Sequence, residues 1–102
     1  MIKHIVMWNV RGDTAQARKE SAQYIKGRFE SLLGKIPGMQ KLEIGLDESR
    51  VEYACDVVLY SEFDSKEALD AYANHPEHLR IRGDLGGIRI TRHQVDYTTE
   101  AH

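Results

Sequence analysis

Hydrophobic and polar residues alternate at the start of the chain with the period of a β-strand. In residues 1–9 the even positions Ile2, His4, Val6 and Trp8 fall on one face, and Ile5 and Met7 fall on the other. Because both faces are mostly apolar, we expect this strand in the middle of its sheet. His4 on such a face is typical of a core histidine, unless other polar groups converge on it.

The next stretch changes to the helical period. Residues 14–35 carry apolar side chains on one face and charged side chains on much of the remainder, which predicts an amphipathic helix. The apolar positions are Ala22, Ile25, Phe29, Leu32, Leu33 and Ile36. Asp13 or Thr14 can cap the start of this helix, and Pro37-Gly38 ends it.

Alternation returns in the middle of the chain. It predicts a half-exposed strand over residues 39–46 and a long strand over residues 53–63. The segment Asp64-Ser65-Lys66-Glu67 is then typical of a helix start and predicts a helix to about residue 74. A short helical segment after Pro76 and a last strand over residues 92–98 complete the pattern.

This order of elements predicts a ferredoxin-like fold. It follows the split β-α-β-β-α-β pattern, an α+β fold with the helices on one face of a four-stranded antiparallel sheet. Apolar side chains also fall on the other face, at Ile5, Met7, Val58, Tyr60, Val95 and Tyr97. Since an apolar face of this size needs cover, we expect a homodimer in which a second copy packs on it.

Composition and charge narrow the class of protein. The 102 residues suffice for one domain, and a net charge of −2 gives no general reason to expect nucleic acid or an anionic membrane as a partner. The single cysteine, Cys55, cannot form an internal disulfide, and no apolar run is long enough for a membrane span or a signal peptide. We therefore expect a cytoplasmic protein.

One block in the second half of the chain carries candidate chemistry. Tyr72, His75 and His78 lie close together where Pro76 must end one helix and can open another. His75 is then a helix cap, and His78 lies near the positive end of the new helix, which favours a neutral ring able to accept a proton. A neutral histidine beside a tyrosine can serve as an acid–base pair. The alternative interpretation is structural: His75 only caps, and Tyr72 is a core aromatic.

Several short segments together resemble the stress-responsive dimeric α+β barrel (Dabb) family. They are Lys3-His4-Ile5-Val6, Ile36-Pro37-Gly38, Ser61-Glu62-Phe63-Asp64-Ser65, the Tyr72–His78 block and Val95-Asp96-Tyr97. The resemblance spans residues 1–98 and implies a single domain of this type, with residues 99–102 as a flexible tail. It also implies a dimeric barrel made of two sheets packed face to face, in agreement with the apolar second face of the sheet.

The resemblance further implies roles for individual residues. A plant polyketide cyclase of this family works without a cofactor, and its site resembles this chain at His4, Tyr72, His75 and His78. By that likeness His78 is the base, Tyr72 binds the carbonyl oxygen, and His4 helps to orient or bind the substrate, with His75 also at the pocket. The pocket would lie between sheet and helices, walled by Val6, Trp8, Ile25, Phe29, Leu59 and Phe63.

This chain is more polar than that cyclase around the implied pocket. The departures are Lys26 and Glu30 on the first helix, and Arg92 and Gln94 on the last strand. A smaller or more polar carbonyl ligand, such as an acid met by Arg80, Arg82 or Arg92, fits these residues better.

Three classes of function follow from these patterns. The first is a cofactor-free lyase or cyclase, or less readily a cofactor-free monooxygenase, that uses His78 and Tyr72. The second is a non-catalytic small-molecule-binding or stress-associated protein whose histidines are structural. The third is a metal site at His4, His75 and His78, but His-x-x-His across a proline is a poor match to helical ligand pairs. We therefore expect no metal and no cofactor.

Overall fold

The computed structural model describes residues 1–99 and has the predicted ferredoxin-like arrangement. Its elements are β1 (Ile2–Val10), α1 (Ala15–Glu30), β2 (Met39–Leu46), β3 (Val57–Phe63), α2 (Lys66–Ala73), α3 (Pro76–Leu85) and β4 (Arg89–Thr98). The four strands form one sheet in the order β2-β3-β1-β4, and all neighbouring strands are antiparallel. The prediction of a ferredoxin-like α+β fold is thereby confirmed.

Strand β1 occupies the centre of the sheet, as its two apolar faces predicted. Its residues pair with β3 from Ile2 opposite Phe63 to Trp8 opposite Val57. They pair with β4 on the other side, and the register shifts by a bulge at Asn9/Val10. Because β1 is paired along both edges, every side chain it directs toward the helices lies between neighbours from two strands.

The core lies between the sheet and the helices. Helix α1 starts at the cap Thr14, whose side chain accepts a hydrogen bond from the backbone N–H of Ala17. It buries one face at Ala22, Ile25 and Phe29, as the helical period predicted. Burial of a side chain such as Phe29 stabilises the fold by about 1.5–3 kcal/mol, so this face holds α1 on the sheet.

The first helix is shorter than the sequence predicted. It ends at Glu30, and residues 31–35 continue as turns with i→i+3 hydrogen bonds, including Leu32 N–H to the Phe29 carbonyl. Such turns advance three residues per turn and not 3.6, so the apolar period changes phase. Leu32 stays fully buried while Leu33 is 57% exposed, and the prediction that Leu33 faces inward was wrong.

Three other boundaries differ from the predictions. Strand β3 begins at Val57, and the segment before it, with the exposed Tyr53 and with Cys55, is a loop and not strand. The segment after Pro76 is a ten-residue helix, and β4 begins at Arg89. Of the predicted tail, Thr99 donates its backbone N–H to the Met1 carbonyl at 3.1 Å, while residues 100–102 lie outside the described part of the chain.

The face of the sheet away from the helices is uncovered. On β1 and β4 it presents Met7, Val95 and Tyr97, which are 37%, 50% and 42% exposed. Tyr60 on β3 pairs with Ile5 on β1 and belongs to the same face. This open face is the surface for which the sequence predicted a second copy of the chain. In residues 1–99, no helix is both long and apolar enough to cross a membrane.

Candidate functional site

Two cavities flank the core at different places. The first, here called the histidine cavity, has a volume of about 320 Å³ and lies between the sheet and the helices. Its lining residues are His4, Val6, Trp8, Phe29, Leu59, Tyr72, Ala73, His78, Arg82, Arg89 and Arg92. The second, the Asp56 cavity, measures about 490 Å³ and lies between the start of α1 and the β2–β3 loop. By size alone the Asp56 cavity would be the candidate functional site. We therefore compare the side chains that line the two cavities.

His78 is held in one tautomer at the edge of the histidine cavity. Pro76 opens α3, and His78 follows it in the first turn, where its Nδ1 lies 3.2 Å from the Ala73 carbonyl. A carbonyl can only accept, so Nδ1 of the neutral ring carries the proton and Nε2 keeps its lone pair. Burial lowers the pKa of His78 below its ordinary value of 6.5, and the charges of Arg82 and Arg89 lower it further. The ring is therefore a neutral proton acceptor.

Tyr72 lies directly against His78. Their ring centroids are 4.3 Å apart, and the phenol is also in contact with the ring of Phe63 at 5.3 Å. Burial raises the pKa of Tyr72 far above its ordinary value of 10.0, although the charges of Arg92 and Arg89 oppose that change. The phenol consequently keeps its proton and can act only as a hydrogen-bond donor or as a very weak acid.

His4 is oriented by a carboxylate that the sequence analysis did not single out. Its Nδ1 lies 2.5 Å from Oδ1 of Asp96, which is its cross-strand neighbour on β4. Gln94 donates to the other oxygen of Asp96 at 2.9 Å, so the carboxylate is itself fixed. The rings of His4 and Tyr72 lie edge to face with centroids 6.2 Å apart. Asp96 and Tyr72 therefore both lie next to the His4 ring.

Three arginines complete the lining of the histidine cavity. Arg82 comes from α3, and Arg89 and Arg92 come from β4. The guanidinium of Arg89 lies 5.5 Å from the ring centre of Trp8, which in turn stacks on Phe29 at 5.2 Å. Arg80, the other arginine considered from the sequence, pairs with Glu77 and is not part of this lining.

Some of the predicted site residues do not reach the cavity. Val6, Trp8, Phe29 and Leu59 line it as expected, whereas Ile25 and Phe63 are fully buried in the core and do not. The Nδ1 of His75 accepts a hydrogen bond from the backbone N–H of Glu77 at 3.1 Å, so this ring caps α3. His75 is not among the residues that line the cavity, because its ring turns toward the helix that it caps.

Lys26 and Glu30, the two residues of the first helix that are more polar than in the plant cyclase, do not line the histidine cavity. Lys26 donates to the Ile44 carbonyl at 2.7 Å and pairs with Glu30 at 3.3 Å, beside β2. Two other residues make this chain more polar than the plant cyclase, and both are close to the cavity. Arg92 lines it, and Gln94 donates a hydrogen bond to Asp96, the partner of His4. In residues 1–99, no group of three His, Cys, Asp or Glu side chains is arranged to hold a metal ion.

The buried carboxylate of the Asp56 cavity is paired with other lining residues. Asp56 is buried, and its carboxylate accepts from the Val10 backbone N–H and from Arg50, both at 2.9 Å. Arg50 also pairs with Asp47, and the Arg50 backbone N–H holds the pKa of the Asp47 carboxyl below its usual range. These contacts fasten the β2–β3 loop to the end of β1, which is a structural role.

Comparisons with known proteins agree with this architecture. The model of the Dabb family, the stress-responsive A/B barrel domain, matches residues 2–99. A dimeric protein of ferredoxin-like fold and unknown function from Bacteroides fragilis NCTC 9343 is 33% identical, with 96% of this chain and 95% of that chain covered and a TM-score of 0.84. A dimeric ferredoxin-like protein from Jannaschia sp. CCS1 is 25% identical over 96% of this chain and 98% of that chain, with a TM-score of 0.73.

A hydroxynitrile lyase from Passiflora edulis shares the fold at lower identity. It is 16% identical, with 99% of this chain and 95% of that chain covered and a TM-score of 0.77. A comparison with curated proteins finds no match. The family match over nearly the whole chain and the Bacteroides relative show that this chain belongs to the stress-responsive A/B barrel (Dabb) family.

Proposed function

We propose that the histidine cavity catalyses cofactor-free proton transfer next to the carbonyl group of a small substrate, in a reaction of the lyase or cyclase type. The observation that carries this proposal is the contact between His78 and Tyr72, whose rings lie 4.3 Å apart on the lining of one cavity. One ring is a neutral base and the other is a protonated donor. Abstraction of a proton beside a carbonyl requires this combination.

Each group has one role in the proposed step. Nε2 of His78 accepts the carbon-bound proton, because Nδ1 is committed to the Ala73 carbonyl. The hydroxyl of Tyr72 donates a hydrogen bond to the carbonyl oxygen as it gains negative charge. The imidazolium of His78 then returns the proton to the product. Tyr72 cannot be the base, because burial raises its pKa far above neutrality.

His4 is the second imidazole of the proposed site. Asp96 accepts from Nδ1 of His4, so Nε2 is the nitrogen left to bind a substrate oxygen or a water molecule. His4 thereby helps to hold the substrate against Tyr72 and His78.

Deuterium exchange tests this proposal without knowledge of the natural product. Small ketones and oxo acids are incubated with the protein in D₂O, and loss of the proton signals next to the carbonyl is followed by NMR. We expect exchange with the wild type and none above background with His78→Asn, while His75→Asn, which keeps a capping acceptor outside the cavity lining, exchanges as the wild type does. Equal exchange by wild type and His78→Asn across the panel would contradict the proposal.

The second candidate is a non-catalytic small-molecule-binding protein with structural histidines. It is favoured by His75, which caps α3, and by the aromatic contacts of Tyr72 with Phe63 and His4. On this alternative His78→Asn lowers the melting temperature, and ligands bind without any deuterium exchange. The exchange experiment combined with thermal unfolding therefore separates the two candidates.

We also propose that two copies of the chain pair through the open face of the sheet. The support is the exposed apolar surface at Met7, Val95 and Tyr97, and the dimeric state of proteins with the same fold. Sedimentation velocity on Val58→Asp tests this, because Val58 lies within that face and a charge there would be buried in the dimer. We expect a dimeric wild type, a monomeric Val58→Asp and a dimeric control Leu79→Asp; a monomeric wild type at micromolar concentration would contradict it.

A further inference from the structure

We propose that the substrate of the histidine cavity carries a carboxylate, which Arg82, Arg89 and Arg92 bind, so that the ligand is a small oxo acid. The inference rests on the proposed function for the reaction and adds the class of substrate. It starts from an imbalance of charge, because three arginines and no carboxylate line this cavity.

The other arginines of residues 1–99 all have acceptors within the fold. Arg28, Arg50 and Arg80 pair with Asp84, Asp56 and Glu77. Arg11 and Arg18 donate to the carbonyls of Gly87 and Gly12. In the same part of the chain, Arg82, Arg89 and Arg92 form no ion pair and no such hydrogen bond. The guanidinium groups without an internal acceptor are thus the three at the histidine cavity.

Arg89 is the most constrained of the three. It is half-buried, with its guanidinium over the Trp8 ring. Burial and the neighbouring charges of Arg82 and Arg92 lower its pKa, so the empty cavity is electrostatically unfavourable for this group. A bound anion would reduce both costs. Its hydrogen bonds replace the lost hydration of Arg89, and its negative charge offsets the repulsion among the three arginines.

The arginines and the reacting groups face the same space. The charges of Arg92 and Arg89 act on the pKa of Tyr72, and those of Arg82 and Arg89 act on the pKa of His78. All of these side chains line one cavity, so a carboxylate held by the arginines and a carbonyl held by Tyr72 can belong to one small molecule. A cavity of about 320 Å³ is at the lower end of the range for ligand sites, which suits an acid of a few carbon atoms.

A carboxylate fits better than a phosphate because it is the smaller group. The fork of a guanidinium can bind either one with two hydrogen bonds. The smaller group leaves more of the cavity for the carbonyl and for the carbon that gives up its proton. The shared chemistry is an anionic oxygen group, and inorganic phosphate serves as the competing probe in the experiment.

The chain contains a natural reporter for this test. Trp8 is its only tryptophan, and it lines the cavity under Arg89. Tryptophan fluorescence is titrated with levulinate, a small oxo acid, and with levulinamide, its uncharged counterpart. We expect saturable binding of levulinate that is about tenfold or more tighter than that of levulinamide, the size expected for charge-assisted hydrogen bonds.

Arginine variants then locate the preference. Arg89→Gln and, separately, Arg92→Gln should abolish the preference for levulinate over levulinamide. Arg80→Gln, on the same helix as Arg82 but paired with Glu77, should keep it. Circular dichroism shows whether each variant is folded. If Arg89→Gln does not fold, Arg92→Gln still tests the inference.

Three results would overturn the inference. They are equal binding of levulinate and levulinamide, tighter binding of inorganic phosphate than of levulinate, and no saturable change with levulinate up to about 10 mM, a concentration at which even millimolar affinity is visible. Because binding is measured without turnover, it is independent of the proposed reaction. Tight levulinate binding with no deuterium exchange would contradict only the proposed reaction. Exchange with neutral ketones but no preference for acids would contradict only the proposed class of substrate.

Discussion

The two cavities of this protein differ in what their charges do. The Asp56 cavity is the larger, but its buried carboxylate is satisfied by the Val10 N–H and by Arg50. The histidine cavity is smaller, and its arginines have no acceptor within residues 1–99. Burial lowers the pKa of its His78 and raises the pKa of its Tyr72.

The difference shows why volume alone does not identify a functional site. Charges that pair with one another across a cavity hold the surrounding elements together. Charges and proton-transfer groups that face a cavity without partners cost stability, and a ligand can recover that cost. The histidine cavity is of the second kind, so substitutions there should change chemistry and substitutions at the Asp56 cavity should change stability.

The largest expected effect is that of His78→Ala compared with Asp56→Ala. Loss of the base should lower the deuterium-exchange rate by about 10²- to 10⁴-fold, with a small change in melting temperature because the ring is only half-buried. Asp56→Ala should lower the free energy of unfolding by about 1–3 kcal/mol, since the buried Val10 N–H loses its acceptor. Its exchange rate per folded molecule should stay unchanged. A reversal of these two results would break the distinction between the cavities.

Tyr72→Phe should have the next largest effect. It removes a hydroxyl and leaves the ring against Phe63 and His78, so packing is preserved. We expect exchange to fall by about 10²-fold, the loss typical for one donor to a developing oxyanion. The measurement is the exchange rate at saturating ligand, with thermal unfolding as the control. An unchanged rate would show that the phenol is only a core aromatic.

Asp96→Asn should reduce exchange by about tenfold, because it weakens the charge-assisted bond that orients His4. A matched control is Asp84→Asn, which removes a carboxylate that pairs with Arg28 outside the cavity. Only the first variant should change the exchange rate. An equal response of both variants would mean that general surface charge and not the orientation of His4 is responsible.

The smallest effect concerns the other histidine of the motif. His75→Ala should cost about 1 kcal/mol of stability, the typical value of a helix cap, and should leave the exchange rate of the folded protein unchanged. His75→Asn, which retains a capping acceptor, should recover most of that loss in chemical denaturation. A loss of exchange that Asn does not recover would place His75 in the reaction after all.

Much of the fold followed from periodicity. The two apolar faces of β1 predicted its central position, and Pro76 predicted both the end of α2 and the cap at His75. These are local features, in which each residue constrains its immediate neighbours. The end of α1 was missed because turns of three residues after Glu30 keep Leu32 buried and resemble a continuing helix.

The site was only partly predictable. Tyr72 and His78 are close in sequence, so their contact could be anticipated. Asp96 is 92 residues from His4, and their contact depends on the register between β1 and β4. Alternation along β4 places Asp96 on the same face as Arg92, but it does not give the register with β1. Arg89 was missed because the predicted strand began too late, beyond the bulge opposite Asn9 and Val10.

The most direct test of the account is the pKa of His78, followed by NMR of the histidine rings and assigned with His78→Asn. Burial disfavours the charged ring, so we expect a pKa below 6.5, with the ring neutral at pH 7 and the exchange rate falling only at a pH below that value. As the pH falls, His78 of the unfolded chain takes up a proton at a higher pH than His78 of the folded protein does. Its contribution to the free energy of unfolding is therefore complete above pH 6.5 and declines as the pH falls toward the folded pKa. Added levulinate should raise the pKa of His78, because the anion offsets the arginine charges. A His78 that titrates at 6.5 or above and ignores every ligand would contradict the central claim.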